Sequence, residues 1–237
     1  MAEEFDKIFA ESSHPNAHEE AAAERAAIER ASKALLAGLK PVHPLAAPWA
    51  LALTFLLLFT AVAICAAWAL GLGGIQALNP YQRAAIFPTL LIAAWLTAVA
   101  SAREMRPAGG FRLGWWALTF SLVVFPIAVS LVFHNYSTQD FVPEGLPCLL
   151  LGLRVAIPAG LAIAWIMRRG FVLEWSAAGL TAGALSGLAG LAMLELHCPN
   201  PKAIHVMVWH GAVVLVGAAL GFALGLVADH VRRAKRV

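Results

Sequence analysis

Six runs of about twenty apolar residues constrain this chain more than any other feature. They lie at about 48–72, 84–102, 113–133, 147–167, 176–196 and 206–228. About 20 apolar residues in an α-helix cross a bilayer core about 30 Å thick. Of the 237 residues, 60% are hydrophobic and 13% are charged, whereas soluble domains carry about a quarter charged residues. The sequence therefore predicts an all-α, polytopic membrane protein with six transmembrane helices in one bundle.

The distribution of positive charge predicts the orientation of these helices. Arginine and lysine are concentrated in the segments 103–112, 168–175 and 231–237, whereas the alternate loops carry only Arg83 and Lys202. Short cytoplasmic loops are enriched in Lys and Arg, so both termini are expected in the cytoplasm. The outer loops are then expected at 73–83, 134–146 and 197–205.

The residues before the first run form an acidic segment, which we call the head (1–47). It contains five Lys or Arg against eight Asp or Glu. The acidic residues that follow Met1 are unlike the basic start of a secretory signal, so the head is expected to stay in the cytoplasm. The sequence thus predicts a head, a membrane domain at 48–230 and a basic tail at 231–237.

An amphipathic helix is predicted within the head, over residues 16–39. Ile28, Leu35 and Leu39 recur on one helical face, and Asn16 is expected to cap the first turn. The head is then either a solvated tail near the membrane or a segment that places its apolar stripe in the groove of a partner protein. The residues alone do not choose between these interpretations.

Glycines repeat at four-residue spacing in the last two runs. They are Gly179, Gly183 and Gly187 in the fifth run and Gly217, Gly221 and Gly225 in the sixth. Small residues at this spacing let helix backbones approach closely in lipid. We expect the two helices to pack together within one bundle; a homo-oligomeric interface is the alternative.

Two cysteines and four histidines fall on the predicted outer side. Cys148 begins the fourth run, and His134 follows the third. His197, Cys198 and His205 lie between the fifth and sixth runs, and His210 lies in the first turns of the sixth. Cys148 is either a packing residue, with His197 as a cap at the interface, or the two thiols form a disulfide in an oxidising compartment or bind a metal with the histidines. The spacing is not that of a standard zinc module, so the alternatives stay open.

Ionisable residues inside the runs are few. Arg154 and Glu195 are expected to pair with each other, or Arg154 with backbone carbonyls. A proton or ion path would need several such groups, which argues against a transporter. The sequence also lacks a Gly-rich phosphate loop and the HExxH and GxSxG motifs, so no enzymatic activity and no organic cofactor are predicted. The small net charge of +3 argues against direct nucleic-acid binding.

Several short motifs resemble the NrsF-like family of membrane anti-sigma factors, which also has six spans. The segment 39–45, Leu-Lys-Pro-Val-His-Pro-Leu, is similar to the family's Lys-Pro-Val-Arg-Pro-Leu motif, with His43 where Arg is usual. The other matching segments are Pro-Cys-Leu at 147–149, Arg-Arg-Gly at 168–170, Leu-His-Cys-Pro at 196–199 and Val-Trp-His at 208–210.

The resemblance implies a protein that holds an extracytoplasmic-function sigma factor inactive at the bacterial inner membrane and releases it on an envelope, metal or redox signal. It implies that Cys148 and Cys198 form the sensing site, with His197 and His210 as accessory residues. It further implies that the head binds the sigma factor. The expected contacts are Phe5, Ile8, Phe9, Ile28, Leu35, Leu39, Lys40, Pro41 and Val42.

Two alternatives from other classes remain. One is a small membrane transporter, or a redox or metal carrier, that uses the outer Cys/His cluster. The other is a structural membrane protein without a sensing role. A bound chromophore or flux across a vesicle membrane would favour the first alternative.

Overall fold

The computed structural model describes residues 17–38, 45–106 and 112–235. The chain divides into two compact units, Met1–Pro44 and Leu45–Val237. Within the described residues, six helices are long and apolar enough to cross a membrane. We call them spans one to six: Pro48–Leu70, Pro80–Glu104, Arg112–Val132, Phe141–Met167, Trp175–His197 and Ala203–Ala234.

These helices confirm the predicted all-α architecture with six spans. Span six is composite, because Ala203–His205 continues into a π-helical turn, Val206–His210, and then into the helix Gly211–Ala234. A short helix, Gly73–Ala77, follows span one. We call the end of the bundle that carries Cys148 the outer end and the opposite end the inner end, following the predicted orientation.

Spans two and four begin well before the apolar runs predict. Before span two, Asn79 Oδ1 accepts a hydrogen bond from the Gln82 backbone N–H (2.9 Å), and Gln82 Oε1 accepts one from Asn79 N–H (3.0 Å). This capping box starts the helix at Pro80. Span four begins at Phe141, with Pro143 in its first turn, where a backbone N–H would have no helical acceptor.

Span five lies at the centre of the bundle. In its apolar stretch 94% of the residues are buried, compared with 22% in span four and 44% in span two. It packs against spans one, two, four and six. Lipid tails are as apolar as leucine, so the hydrophobic effect does not drive helices together within a membrane. A span surrounded by other helices packs instead through small side chains, which let the backbones approach closely. The Gly- and Ala-rich sequence of span five meets this requirement.

The glycine rows of spans five and six face each other. A methyl group on Gly179 would collide with the carbonyl oxygen of Gly221, and one on Gly183 would collide with that of Gly217. Gly187 approaches the backbone of Val214 in the same way. The two helices are therefore in backbone contact, as the spacing predicts for packing within one bundle.

Polar contacts fix the inner end. The Asp229 carboxylate of span six accepts hydrogen bonds from the first two N–H groups of span five, those of Trp175 and Ser176, each at 3.0 Å. Arg106, after span two, donates from Nη2 to the carbonyl oxygen of Ala46 at 2.9 Å. The residue that precedes span one is thereby tied to the loop that follows span two.

The head contains one described helix, Ala17–Gly38. Ile28, Leu35 and Leu36 are exposed on it, and Lys33 forms an ion pair with Glu29 at 2.7 Å. Its amphipathic character stays a prediction. The expected cap and several expected sigma-factor contacts lie outside the described residues: Asn16, Phe5, Ile8, Phe9, Leu39, Lys40, Pro41 and Val42.

Candidate sensing site at the outer end

Four potential metal ligands meet at the outer end of the bundle. They are Cys148, Cys198, His205 and His210, and their ligand atoms all lie within 4.8 Å of one another. The two Sγ atoms are 3.6 Å apart, and Cys198 Sγ lies 3.7 Å from His205 Nε2. We call these four residues the Cys/His cluster.

Three spans contribute to the cluster. Cys148 lies in the second turn of span four. Cys198 is the first residue after span five, and its backbone N–H bonds to the carbonyl oxygen of Leu194 at 2.7 Å. His205 and His210 both come from the start of span six. The cluster therefore joins the outer ends of three helices that also pack against one another within the bundle.

The π-helical turn brings the two histidines together. In an α-helix, residues five apart point about 140° away from each other. A π-helix bonds residues five apart and so places them nearly one above the other. Here the Gly211 N–H bonds to the carbonyl oxygen of Val206, and the rings of His205 and His210 lie edge to face with their centroids 5.2 Å apart.

A buried carboxylate holds one of these rings. Glu195 Oε1 lies 2.6 Å from His210 Nδ1, and both side chains are buried. The predicted pairing of Glu195 with Arg154 is wrong, because Arg154 is exposed on span four. The rotation of each helix about its own axis decides which side chains pair, and an apolar run in the sequence does not reveal that rotation.

Two nitrogen atoms in the cluster are buried without a hydrogen-bond partner among the described residues. They are Nε2 of His210 and Nδ1 of His205. Buried polar groups nearly always have partners, so these two nitrogens have unused hydrogen-bonding or ligand capacity next to the two thiols. The thiol contact with Cys148, and then burial, raise the pKa of Cys198, which favours its neutral thiol form.

The loop that carries Cys198 is fastened to the start of span four. Lys202 Nζ donates to Glu144 Oε2 at 2.7 Å and to the Gln139 carbonyl oxygen at 2.8 Å. Asn200 Nδ2 also donates to Glu144 Oε2, at 2.8 Å. These contacts close the outer side of the cluster.

The other side of the same loop contacts the outer end of span one. His197 Nδ1 lies 3.0 Å from the carbonyl oxygen of Gly71. A Cβ on Gly74 would lie 2.6 Å from the carbonyl oxygen of Glu195 and 2.8 Å from that of Cys198. The backbone beside Cys198 thus packs directly on the backbone that follows span one.

The structure places the sequence-predicted site residues in two groups. It brings Cys148, Cys198 and His210 together, whereas His197 lies beside span one and outside the four-residue cluster. Sequence reasoning noted His205 but did not select it, and it missed the contact between Glu195 and His210. The five-residue spacing of the histidines would identify the pair only with a π-helical turn already assumed.

A protein-family model described as NrsF, Negative regulator of sigma F, matches residues 35–228 of the chain. The match covers the end of the head, the first five spans, most of span six and every residue of the Cys/His cluster. No curated protein and no solved structure matches the chain.

Proposed function

The chain belongs to the family of negative regulators of sigma F, and from this premise we propose that it captures an extracytoplasmic-function sigma factor at the bacterial inner membrane. The family match over residues 35–228 is the observation that carries this proposal. In this arrangement both termini face the cytoplasm, and an envelope, metal or redox signal at the outer end releases the sigma factor.

The head is the proposed sigma-factor contact. Ile28 and Leu35 are exposed on the helix Ala17–Gly38, and the head carries more acidic than basic residues. The polymerase- and DNA-binding surfaces of a sigma factor are basic. An acidic segment with apolar anchors would therefore approach them by electrostatic attraction and bind by placing its apolar face in a groove.

The Cys/His cluster is the proposed sensor, and a metal ion is its proposed ligand. Two thiolates and two imidazoles suit soft or borderline cations such as Zn²⁺ and Cu⁺. An ion would also occupy the free Nε2 of His210, which a disulfide between Cys148 and Cys198 would leave unpaired. This nitrogen is the reason to place metal binding ahead of thiol oxidation.

Span one is the proposed route from the sensor to the head. It is the only span that continues directly into the head, and the short helix Gly73–Ala77 that follows its outer end packs on the backbone of Glu195 and Cys198 through Gly74. His197 adds a side-chain contact to Gly71, directly after span one. A change in the position of Cys198 would therefore reach span one through this short helix and through His197, which is an accessory residue in this sense.

Capture by the full-length protein tests the function. The tagged protein is purified in detergent from the native organism, and its bound proteins are identified by mass spectrometry. We expect the wild type to recover an extracytoplasmic-function sigma factor, and we expect this recovery to fall tenfold or more when Leu35 and Leu39 are both changed to Glu.

Ala37→Glu is the matched control and should retain capture, because the 3.6-residue period places Ala37 on the opposite side of the helix from Leu35. Capture unaffected by the double change would refute the proposed contact, and a wild type that binds no sigma factor would refute the function.

A further inference from the structure

We propose that Glu195 is a positioning residue for the metal site and that it acts through His210. The inference rests on the metal-binding part of the proposed function. Glu195 is 3% exposed and His210 is 1% exposed, and 2.6 Å separates Oε1 of the carboxylate from Nδ1 of the ring. At this depth, removal of either partner leaves a buried polar group unpaired, so each side chain fixes the place of the other.

The hydrogen bond determines which nitrogen of His210 faces the cluster. A carboxylate accepts a proton from Nδ1–H, so the neutral ring carries its free lone pair on Nε2. Nε2 is buried and without a hydrogen-bond partner among the described residues. A carboxylate behind a metal-binding histidine orients the ring and makes it a stronger base, and loss of such a group typically weakens metal binding by about 10- to 100-fold.

His205 lacks such a support. Its Nε2 lies 3.7 Å from Cys198 Sγ, while its Nδ1 is buried without a hydrogen-bond partner in the part of the chain that the structure describes. The two imidazoles of the cluster are therefore not equivalent. The ring of His210 is held by a carboxylate, whereas the ring of His205 contacts the Cys198 thiol and has no carboxylate partner among the described residues.

Glu195 also links two ligands that come from different helices. It lies three residues before Cys198, one turn earlier at the end of span five, and it bonds to His210 of span six. The same helix end thus supplies one ligand directly and orients a second. Loss of the carboxylate should weaken the metal site without removing a ligand.

Cobalt binding by the full-length protein in detergent tests the inference. Co²⁺ stands in for Zn²⁺ because its absorption reports both thiolate ligation and ligand geometry. Affinities for Co²⁺ and Zn²⁺ are measured for the wild type, Glu195→Ala, Glu195→Gln and His210→Ala. Glu104→Gln, a buried carboxyl at the inner end of span two, is the matched control.

We expect Glu195→Ala to bind Co²⁺ about 10- to 100-fold more weakly than the wild type. Its thiolate-to-cobalt absorption should remain, because both cysteines are intact, while its ligand-field bands should change toward those of His210→Ala. Glu195→Gln should lie between the wild type and Glu195→Ala, since the amide oxygen still accepts a hydrogen bond from Nδ1. Glu104→Gln should match the wild type.

Two results would overturn the inference. One of them leaves the proposed metal site intact, and the other excludes the metal site as well. If Glu195→Ala binds cobalt as tightly as the wild type while His210→Ala does not, the carboxylate does not position the ring and the metal site stands. If the wild type itself binds neither Co²⁺ nor Zn²⁺, the metal part of the proposed function fails together with the inference. Thermal unfolding of each variant in detergent shows whether a weakened metal site reflects unfolding of the membrane domain.

Discussion

The two ends of the contact between spans five and six are built on opposite principles. Toward the inner end, the glycine rows place backbone against backbone, and added methyl groups would collide with carbonyl oxygens. At the outer end, the same two helices face each other through Glu195, Cys198, His205 and His210, with polar atoms left unpaired. At the inner end the two backbones touch, whereas at the outer end buried ring nitrogens have no hydrogen-bond partner among the described residues.

This difference shows how a close helix contact at the inner end can fix the positions of polar residues at the outer end. Close packing between the glycines sets the register of span six against span five. The π-helical turn begins on the outer side of this contact. The backbone that carries His205 and His210 is therefore anchored by the glycine rows, while one nitrogen of each ring keeps unused bonding capacity.

The largest expected effect comes from disrupting the close contact between the glycine rows of spans five and six. Gly221→Leu should destabilise the protein by about 3 kcal/mol, the upper end of the usual range for overpacking, because its Cβ would meet the backbone of Gly179. Gly211→Leu is the matched control, since no atom lies within 4 Å of a Cβ at that position. Thermal unfolding in detergent compares the two. Equal unfolding temperatures would mean that the two helices are not in backbone contact.

The second-largest effect is expected from removing the two thiols at the outer end. Changing Cys148 and Cys198 together to Ser should reduce zinc affinity more than 100-fold and abolish the response to metal and thiol-reactive stress, while sigma-factor capture stays intact. Competition with a zinc indicator and sigma-dependent transcription measure the two quantities. Cys65→Ser, at an exposed thiol on span one, is the control. A stress response that survives in the double variant would exclude the cluster as the sensor.

A third prediction separates sensing from transmission. Gly74→Ala places a methyl group 2.6 Å from the carbonyl oxygen of Glu195 and so forces apart the joint between the Cys198 loop and span one. We expect the metal-induced change in sigma-dependent transcription to fall several-fold, with zinc affinity within threefold of the wild type. Gly73→Ala, whose Cβ would meet its nearest neighbour at 3.3 Å, should have a smaller effect. A normal response from Gly74→Ala would argue that the signal bypasses span one.

The smallest predicted effect lies at the inner end. Asp229→Ala removes the acceptor for the first two N–H groups of span five and should cost about 1 kcal/mol, as loss of a helix cap usually does. The unfolding temperature should fall by a few degrees, and zinc affinity should not change. A change in zinc affinity would show that the inner end influences the outer end, and it would contradict the view that the two ends act independently.

The sequence was sufficient for the features that depend on length and period. Apolar runs of about twenty residues predict the six spans, and the four-residue glycine spacing predicts the contact between spans five and six. The shared side of Cys148 and Cys198 follows from the alternation of the loops. The bond between Glu195 and His210 depends on how each helix is rotated about its axis, which hydropathy alone does not determine.

The π-helical turn has a consequence at the level of the gene. A π-helical turn holds one residue more than the α-helical turn that it replaces. Loss of one codon within 206–209 would let the segment relax to an α-helix in which the two histidines, then four residues apart, still share one face, while the glycine rows below kept their register. The gene could therefore lose this extra residue without separating the two imidazoles, whereas an uninterrupted α-helix of the present length would point them about 140° apart.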